Sequence, residues 1–256
     1  YKDIDFPVYD TDWDSEAYMT VSGQNSNNTV RVTDDFLTAV AEDRNWELFR
    51  RKDGKVHEKL KARELWEKIS HAAWASADPG IQFHSTINDW HTCSNTDRIY
   101  ASNPCSEFVF LDDTACNLAS LNLMKFRTET DEFDAETFVH GCEVFITAQE
   151  IIVSRASYPT EDIARNSEDY RPLGLGYANL GAVLMSRGVA YDSEAGRALA
   201  ATITAIMTGA AYQKSAQIAA NIGPFNGYEK NREPMLRVIS KHRDAVRNIN
   251  APLVPK

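Results

Sequence analysis

The strongest constraint on the fold is a helical pattern over residues 136–157. Apolar side chains recur there every three or four positions, as they do along the buried stripe of an amphipathic helix. The positions are Phe138, Cys142, Phe145, Ile146, Gln149, Ile152 and Val153. Because Cys142 lies on this stripe, we expect its thiol to be buried and inert. An Ala-rich stretch over residues 194–221, ended by Gly223 and Pro224, predicts a second long helix.

Short strand patterns alternate with these and other helical stretches. Strands are predicted over residues 29–32, 81–84, 107–111 and 118–123, and residues 173–181 change from a strand pattern to a helix pattern. Further helices are predicted from Thr33 or Asp34 to Glu42, over 61–77 and over 233–247, with a hairpin turn at Asp53-Gly54. Residues 1–20 suggest irregular structure or a short helix. Strands separated by long helices favour parallel pairing through helical crossovers, so an α/β fold is predicted.

Composition restricts the class of protein. The chain has 256 residues, 43% of them hydrophobic, and a net charge of −10, which argues against a nucleic-acid surface. No apolar run approaches the length of a membrane span. Four cysteines in so long a chain do not suggest a disulfide scaffold, so we expect reduced thiols and a cytoplasmic protein. The chain starts at Tyr1 without Met and ends without a helix cap or charged tail, so we expect a fragment of a longer protein.

Two local patterns have a functional and a structural interpretation. His91 and Cys93 could be metal ligands, but no further pair of ligands accompanies them, which favours a packed or hydrogen-bonded pair. The glycines of residues 173–181 superficially resemble a phosphate-binding loop. Their spacing departs from G-x-G-x-x-G because Asn179 stands at the third glycine position. Close backbone packing where a strand meets a helix is the better interpretation.

Residues 102–107 are the strongest candidate for a catalytic segment. They place an amide, a thiol and a carboxylate at alternate positions, Asn103, Cys105 and Glu107. In an extended segment, alternate side chains project to one face, so all three could reach one small substrate. A second thiol, Cys116, follows in the same part of the chain.

Three interpretations of this stretch remain open from the residues alone. Pro104 could make it merely a turn. A nucleophilic thiol is the second interpretation, but it needs a base such as His91, and a neighbouring Glu107 would raise the thiol pKa. Radical chemistry is the third, because a neutral thiol kept from water can lose a hydrogen atom while a nearby carboxylate acts as a base. Such a radical must come from a cofactor.

The stretch Asn103-Pro104-Cys105-Ser106-Glu107 resembles the finger loop of the ribonucleotide reductases, and its sequence is most similar to that of the adenosylcobalamin-dependent, class II enzymes. The similarity covers nearly the whole chain, and its motifs occur in the expected order. They are SGQNSNNTVRVT at 22–33, ADPGIQF at 77–83, HTC at 91–93 and LGLG at 173–176.

The resemblance implies a role for each site residue. Cys105 would be the thiyl-radical site that removes the 3′ hydrogen of the ribose, and Glu107 would accept the proton of the 3′ hydroxyl. Asn103 would bind the ribose hydroxyls, and Ser102 would contribute to substrate binding. Cys116 would be half of the redox pair that reduces the 2′ carbon and ends as a disulfide.

The resemblance also implies the fold, the cofactor and the partners. Residues 1–256 would be one fragment of a ten-stranded α/β barrel, built from half-barrels with crossover helices around the finger loop. The cofactor would be adenosylcobalamin and the substrate a ribonucleotide. A thioredoxin-like protein would supply electrons, and deoxynucleotide effectors would bind segments outside this chain.

Several parts of the family pattern have no match here. They are the second redox cysteine, expected upstream, the downstream phosphate-binding loop and the C-terminal relay cysteines. We therefore expect association with the missing flanking segments or with another copy, since open strand edges invite pairing. Two alternatives remain: a class I large subunit with a separate radical-generating subunit, and a non-catalytic structural remnant.

Overall fold

The computed structural model describes residues 26–130 and 132–254. The chain divides into two compact units, Tyr1–His84 and Ser85–Lys256, and each is described by itself. The predicted irregular structure or short helix over residues 1–20 lies outside the described residues. In the part of the chain that the structure describes, no helix has both the length and the apolar character that a membrane crossing requires.

The first unit contains one parallel strand pair and one hairpin. Its elements are β1 (Thr29–Val32), α1 (Asp34–Ala41), β2 (Asn45–Phe49), β3 (Val56–Lys61), α2 (Ala62–Ser76) and β4 (Gly80–Phe83). Strand β1 pairs in parallel with β4, with Val30 opposite Ile81, and β2 pairs antiparallel with β3. The hairpin turn contains Gly54 at φ +67°, a conformation that glycine adopts without strain.

The hydrophobic core of this unit lies between its strands and its two helices. Thr33 begins α1 as predicted, because its side chain accepts a hydrogen bond from the backbone N–H of Phe36. Phe36 is buried and packs edge-on against Trp46 with ring centroids 5.1 Å apart. Apolar residues of both helices therefore pack against the strands, as the spacing of these residues in the sequence predicts.

The second unit carries most of the helices. Its first element is α3 (His84–Asp89), which continues the chain from the first unit. The elements that follow are β5 (Asn117–Asn122), α4 (Ala135–Val153), α5 (Glu161–Tyr170), β6 (Leu173–Ala178), α6 (Leu180–Ser186), α7 (Glu194–Ile222) and α8 (Tyr228–Val246). Short 3-10 helices occupy Leu123–Phe126 and Ala251–Leu253. Strands β5 and β6 run parallel, with Leu118 opposite Gly174.

The core of the second unit forms where α4 and α7 pack beside this strand pair. Phe138 and Cys142 of α4 are fully buried, and Ile203 and Met207 lie on the facing side of α7. The predicted burial of the Cys142 thiol is confirmed, and burial raises its pKa to about 11. Because α4 follows β5 and precedes β6, the predicted parallel pairing with a helical crossover is also confirmed for this pair.

The structure corrects the secondary structure predicted around the cysteine loop. Residues 107–111 form no strand, and α5 arises where no helix was predicted. The polar sequence of α5 hid its start, although Thr160 accepts a hydrogen bond from the backbone N–H of Ile163 as an N-cap. Helix α4 ends at Val153, earlier than predicted, and α8 begins at Tyr228, earlier than predicted.

Candidate active site

The cysteine loop is closed at its neck by its own hydrogen bonds. The Ser102 hydroxyl donates to the carbonyl oxygen of Phe108 at 2.7 Å, and the Phe108 N–H donates to Asn103 Oδ1 at 3.0 Å. Inside the neck, the Ser106 N–H donates to the Asn103 carbonyl at 3.0 Å, which closes a turn over Pro104 and Cys105. The two ends of residues 102–108 are thereby held together.

This turn replaces the extended segment that the alternating pattern predicts. Proline favours the second position of such a turn, and Ser106 adopts a left-handed conformation with φ 64°. The prediction that Asn103, Cys105 and Glu107 share a face by strand alternation was therefore wrong. The turn chemistry of Asn103 and Pro104 overrides the alternation, and Cys105 lies exposed at the tip.

Asn103 and Glu107 nevertheless come together. A hydrogen bond from the Asn103 side chain is the main cause that lowers the pKa of Glu107, which is exposed and bears a negative charge at neutral pH. Since Asn103 Oδ1 already accepts from the Phe108 N–H, the amide nitrogen is the group that donates to the carboxylate. One asparagine side chain thus closes the loop and orients the carboxylate.

Cys116 lies half-buried immediately before β5, within electrostatic reach of the loop. Burial raises the pKa of the Cys116 thiol, and the negative charge of Glu107 raises it further. The thiol is therefore kept protonated near neutral pH, and Glu107 is the shared neighbour of Asn103 and Cys116. The structure brings together Asn103, Glu107 and Cys116, and it leaves Cys105 at the tip of the same loop.

A glycine on the neighbouring strand leaves room for the Cys116 sulfur. A Cβ atom at Gly174 would lie 2.7 Å from Cys116 Sγ and 2.7 Å from Leu118 Cδ2, closer than van der Waals contact permits. Of the glycines in residues 173–181, Gly174 shows the predicted close packing, whereas a Cβ at Gly176 would make only an ordinary contact and one at Gly181 would meet no atom of the described residues within 4 Å. The packing partner of Gly174 is the candidate redox thiol itself, which the sequence did not reveal.

Two buried polar side chains that fix the backbone around Cys116 were not predicted as part of the site. Ser167 Oγ accepts from the Ala115 N–H at 2.9 Å, and Gln149 Nε2 donates to the Asn117 carbonyl at 2.6 Å. A polar residue within the apolar stripe of α4 was the available signal for Gln149. Ser167 gave no such signal, because its helix was itself not predicted.

His91 and Cys93 form the hydrogen-bonded pair that the sequence favoured. Both are buried, and the Cys93 N–H donates to His91 Nδ1 at 3.4 Å. The second ring nitrogen of His91 is 3.1 Å from the carbonyl oxygen of Asp97. Burial lowers the pKa of His91 and raises that of Cys93 to about 11. The pair therefore supports the loop of residues 91–97 as neutral, packed groups.

Comparison with known proteins identifies the family. Residues 14–251 match the family model described as the barrel domain of ribonucleotide reductase. The chain belongs to this ribonucleotide reductase family, and the resemblance drawn from its motifs is confirmed.

The similar curated proteins carry more particular names. The chain is 59% identical over 246 residues to the vitamin B12-dependent ribonucleotide reductase of Agrobacterium fabrum, covering 96% of this chain and 19% of that protein. It is 51% identical over 244 residues to the protein of the same name from Rhodopirellula baltica, covering 94% and 24%. A vitamin B12-dependent ribonucleoside-diphosphate reductase of Mycobacterium tuberculosis is 34% identical over 207 residues, covering 80% and 30%. The chain thus spans between 19% and 30% of the length of these relatives.

Proposed function

We propose that this chain is the catalytic-loop portion of an adenosylcobalamin-dependent ribonucleotide reductase, which converts ribonucleotides to 2′-deoxyribonucleotides. The observation that carries the proposal is the convergence of Asn103, Glu107 and Cys116 beside the exposed Cys105. The names of the similar proteins support both the reaction and the dependence on vitamin B12.

Each residue has a chemical role in this proposal. A thiyl radical on Cys105 takes the 3′ hydrogen atom of the ribose and returns it at the end of turnover. Glu107 is ionised at neutral pH and accepts the proton of the 3′ hydroxyl, while Asn103 would bind the ribose hydroxyls and Ser102 would contribute to substrate binding. Because Asn103 donates to Glu107 in this structure, its amide is shared between the base and the substrate hydroxyls.

Cys116 supplies reducing equivalents at the 2′ carbon. Its thiol and a second thiol from outside this chain give two electrons and two protons, the 2′ hydroxyl leaves as water, and the two sulfurs end as a disulfide. The raised pKa of Cys116 suits this role, since the protonated thiol is the form that carries a hydrogen to the substrate. A thioredoxin-like protein then restores the two thiols.

The described residues do not by themselves form a site that fits the corrin ring. The two clearest cavities lie elsewhere: one is beside Glu64, Glu67, Lys68 and His71, and the other is between the start of α7 and residues 248–253. Neither includes Cys105, whose thiol is exposed within the part of the chain that the structure describes. Adenosylcobalamin would supply the radical chemistry, and its contacts would come from parts of the reductase other than residues 26–130 and 132–254.

We propose that the strands and helices of this chain form part of a ten-stranded α/β barrel. Parallel pairs β1–β4 and β5–β6, each joined through helices, are consistent with portions of such a barrel. The loop of residues 102–108 would be the finger inside it. Deoxynucleotide effectors, the flanking segments or a second copy of the chain would complete the assembly, and a cytoplasmic location follows from the need for reduced thiols.

The test is anaerobic deoxynucleotide formation from labelled CDP and CTP with adenosylcobalamin and dithiothreitol. The chain is assayed alone, with its flanking segments supplied, and as Cys105→Ala. We expect activity only with the flanks and the cofactor, and loss of that activity in the variant. Activity that survives Cys105→Ala contradicts the radical-thiol role.

The same assay separates the alternatives. Activity that needs a radical-generating subunit and no cobalamin would identify a class I large subunit. An assembled mixture, verified by gel filtration, that forms no deoxynucleotide under either condition would identify a structural remnant. Family membership favours an enzyme over a remnant, and the names of the relatives favour cobalamin over a radical subunit.

A further inference from the structure

Three hydrogen bonds hold the backbone on either side of Cys116. Before it, the Ala115 N–H donates to Ser167 Oγ at 2.9 Å. After it, Gln149 Nε2 donates to the Asn117 carbonyl at 2.6 Å, and Asn117 Nδ2 returns a bond of 2.9 Å to the Gln149 carbonyl. Gln149 and Ser167 are 2% and 1% exposed, so water does not compete for these bonds.

Gln149 also reaches the strand that faces the thiol. Its Nε2 donates to the carbonyl of Gly174 at 2.8 Å, so one amide from α4 joins β5 and β6. Gly174 is the residue whose missing side chain leaves room for Cys116 Sγ. The amide therefore sets the separation between the backbone that carries the thiol and the backbone that faces it.

The orientation of this amide is fixed by its partners. Both partners are carbonyl oxygens, which only accept, so the nitrogen of Gln149 must face them. Its Oε1 is buried and has no hydrogen-bond partner among residues 26–130 and 132–254. A buried acceptor without a donor is unfavourable, and an apolar side chain would avoid it. An apolar side chain could not supply the two N–H donors. We therefore infer that these donors are the reason for a glutamine at this position.

We propose that Gln149, assisted by Ser167, is a positioning residue that holds the Cys116 thiol in place for thiol–disulfide exchange. The inference rests on the proposed function only in naming Cys116 as a redox thiol. Gln149 does not touch substrate. It acts through the backbone of Asn117 and Gly174, which fixes where the sulfur lies between β5 and β6.

The test follows the reaction of each thiol with 4,4′-dithiodipyridine in the reduced 256-residue chain. The thiolate attacks the aromatic disulfide, a mixed disulfide forms, and one equivalent of thiopyridone leaves. Cleavage at Asp112 or Asp113 separates Cys105 from Cys116, so mass spectrometry gives both rates in one sample. Cys105, exposed at the loop tip, serves as the internal reference.

Two substitutions of Gln149 have different expected results. Gln149→Met keeps the length of the side chain and removes its donors. The half-buried Cys116 thiol is then no longer held between β5 and β6, and its reaction with 4,4′-dithiodipyridine should become about fivefold faster relative to that of Cys105. Gln149→Glu keeps at most one donor, the O–H of the protonated acid, and loses it when the acid ionises, so the Cys116 rate should rise through that ionisation, a pH dependence that a general loosening of the fold would not produce.

Matched variants make the result decisive. Cys142→Ala removes a fully buried thiol from the same helix and leaves the hydrogen bonds of Gln149 in place, so it should leave the ratio of the two rates unchanged. Ser167→Ala is a smaller change that should raise the Cys116 rate in the same direction as Gln149→Met. If the Gln149 variants fail to fold, Ser167→Ala decides, and an unchanged ratio there overturns the proposal. Folded Gln149 variants with wild-type ratios and profiles overturn it as well.

Failure of this proposal is distinguishable from failure of the proposed function. The thiol rates need neither nucleotide nor cobalamin. The redox role of Cys116 is tested separately by Cys116→Ser in the assembled reductase, where dithiol-supported turnover should be lost. Retained turnover in Cys116→Ser would contradict the redox role and leave the measured effect of Gln149 on the thiol standing.

Discussion

Glu107 acts on Cys116 through its charge, and the effect is measurable without substrate. Burial is the main cause of the raised pKa of Cys116, and the Glu107 carboxylate adds to it. Removing the charge should therefore lower the pKa of Cys116, and a larger fraction of the thiol is then ionised at any fixed pH.

We expect Glu107→Gln to speed alkylation of Cys116 by iodoacetamide at pH 8 by about two- to threefold, since the thiolate is the nucleophile. The pH profile of the rate should move to lower pH, as followed by mass spectrometry of the separated peptides. Glu132→Gln, an exposed carboxylate elsewhere in the same unit, should leave the profile in place. If Glu107→Gln leaves the pH profile of Cys116 alkylation unchanged, the Glu107 carboxylate has no electrostatic effect on the Cys116 thiol.

Gly174 offers a second prediction at a single residue. A methyl group at this position forces Cys116 Sγ to rotate, because the added carbon would lie 2.7 Å from the sulfur. We expect Gly174→Ala to lower deoxynucleotide formation by the assembled enzyme about tenfold through misplacement of the thiol. Its free energy of unfolding should change by less than about 1 kcal/mol, because alanine in a strand offsets part of the crowding.

Gly176→Ala on the same strand is the matched control. Its Cβ would meet Ser120 Oγ at 3.6 Å, an ordinary contact, so activity and Cys116 reactivity should stay near wild type. Equal losses in both variants, measured as turnover and as chemical denaturation, would attribute the effect to the strand and not to the thiol.

The sequence predicted candidate site residues, and the structure shows an arrangement that the sequence did not predict. Asn103 donates a hydrogen bond to Glu107, and the charge of Glu107 reaches Cys116, while the strand-like alternation predicted to align Asn103, Cys105 and Glu107 is absent. The reason is local: Pro104 favours a turn, and the Asn103 side chain stabilises it through the Phe108 N–H. Gln149 and Ser167 bond to the backbone beside Cys116 from distant parts of the chain, so no local pattern could relate either residue to Cys116.

Among the elements, α5 shows what the periodicity missed and why it matters. This helix carries Ser167, which holds the Ala115 N–H next to Cys116. Its start depends on the Thr160 side chain, which accepts from the Ile163 N–H at 3.2 Å. A weakened start should loosen the helix and, through Ser167, the backbone before Cys116.

We expect Thr160→Ala to cost about 1 kcal/mol of stability by removing the cap. Amide hydrogen exchange should accelerate over the first turn of α5 and then at Ala115, as measured by mass spectrometry. Thr160→Ser keeps the hydroxyl and should exchange like wild type. Faster exchange in the first turn of α5 with no change at Ala115 would show that the helix start and the cysteine segment are uncoupled.

Longer elements were predictable because their patterns are redundant. Helix α4 repeats the apolar signal over several turns, α7 is a long Ala-rich stretch ended by Gly223 and Pro224, and the parallel pairs followed from strands separated by such helices. The segment of residues 107–111 is short and was assigned from apolar residues alone. Phe110 instead packs against Phe108, His91 and Tyr170, at ring-centroid distances of 5.7 to 6.4 Å.

At the scale of the whole molecule, each sheet in residues 26–130 and 132–254 has two strands. Two-stranded sheets have open edges, and β5 presents Leu118 at 64% exposure. We predict that the isolated chain associates in a concentration-dependent manner, as measured by light scattering after gel filtration. Leu118→Lys should weaken this association about tenfold, because a charge at a strand edge opposes pairing.

Met185→Lys is the control for this prediction. Met185 is 81% exposed but belongs to a helix, so the same gain of charge and loss of apolar surface occurs away from a strand edge. Association weakened equally by both variants would indicate a general apolar contact. A chain that stays monomeric at all concentrations would show that its strand edges are protected.

The neck of the cysteine loop has a consequence for how a larger protein could be assembled. Ordering a flexible residue costs about 1–2 kcal/mol of conformational free energy. Residues 102–108 meet this cost through bonds among themselves, at the Ser102 hydroxyl and the Asn103 side chain. The tip that bears Cys105 therefore acquires its shape before any surrounding wall closes over it, and a barrel built around it receives a preformed part.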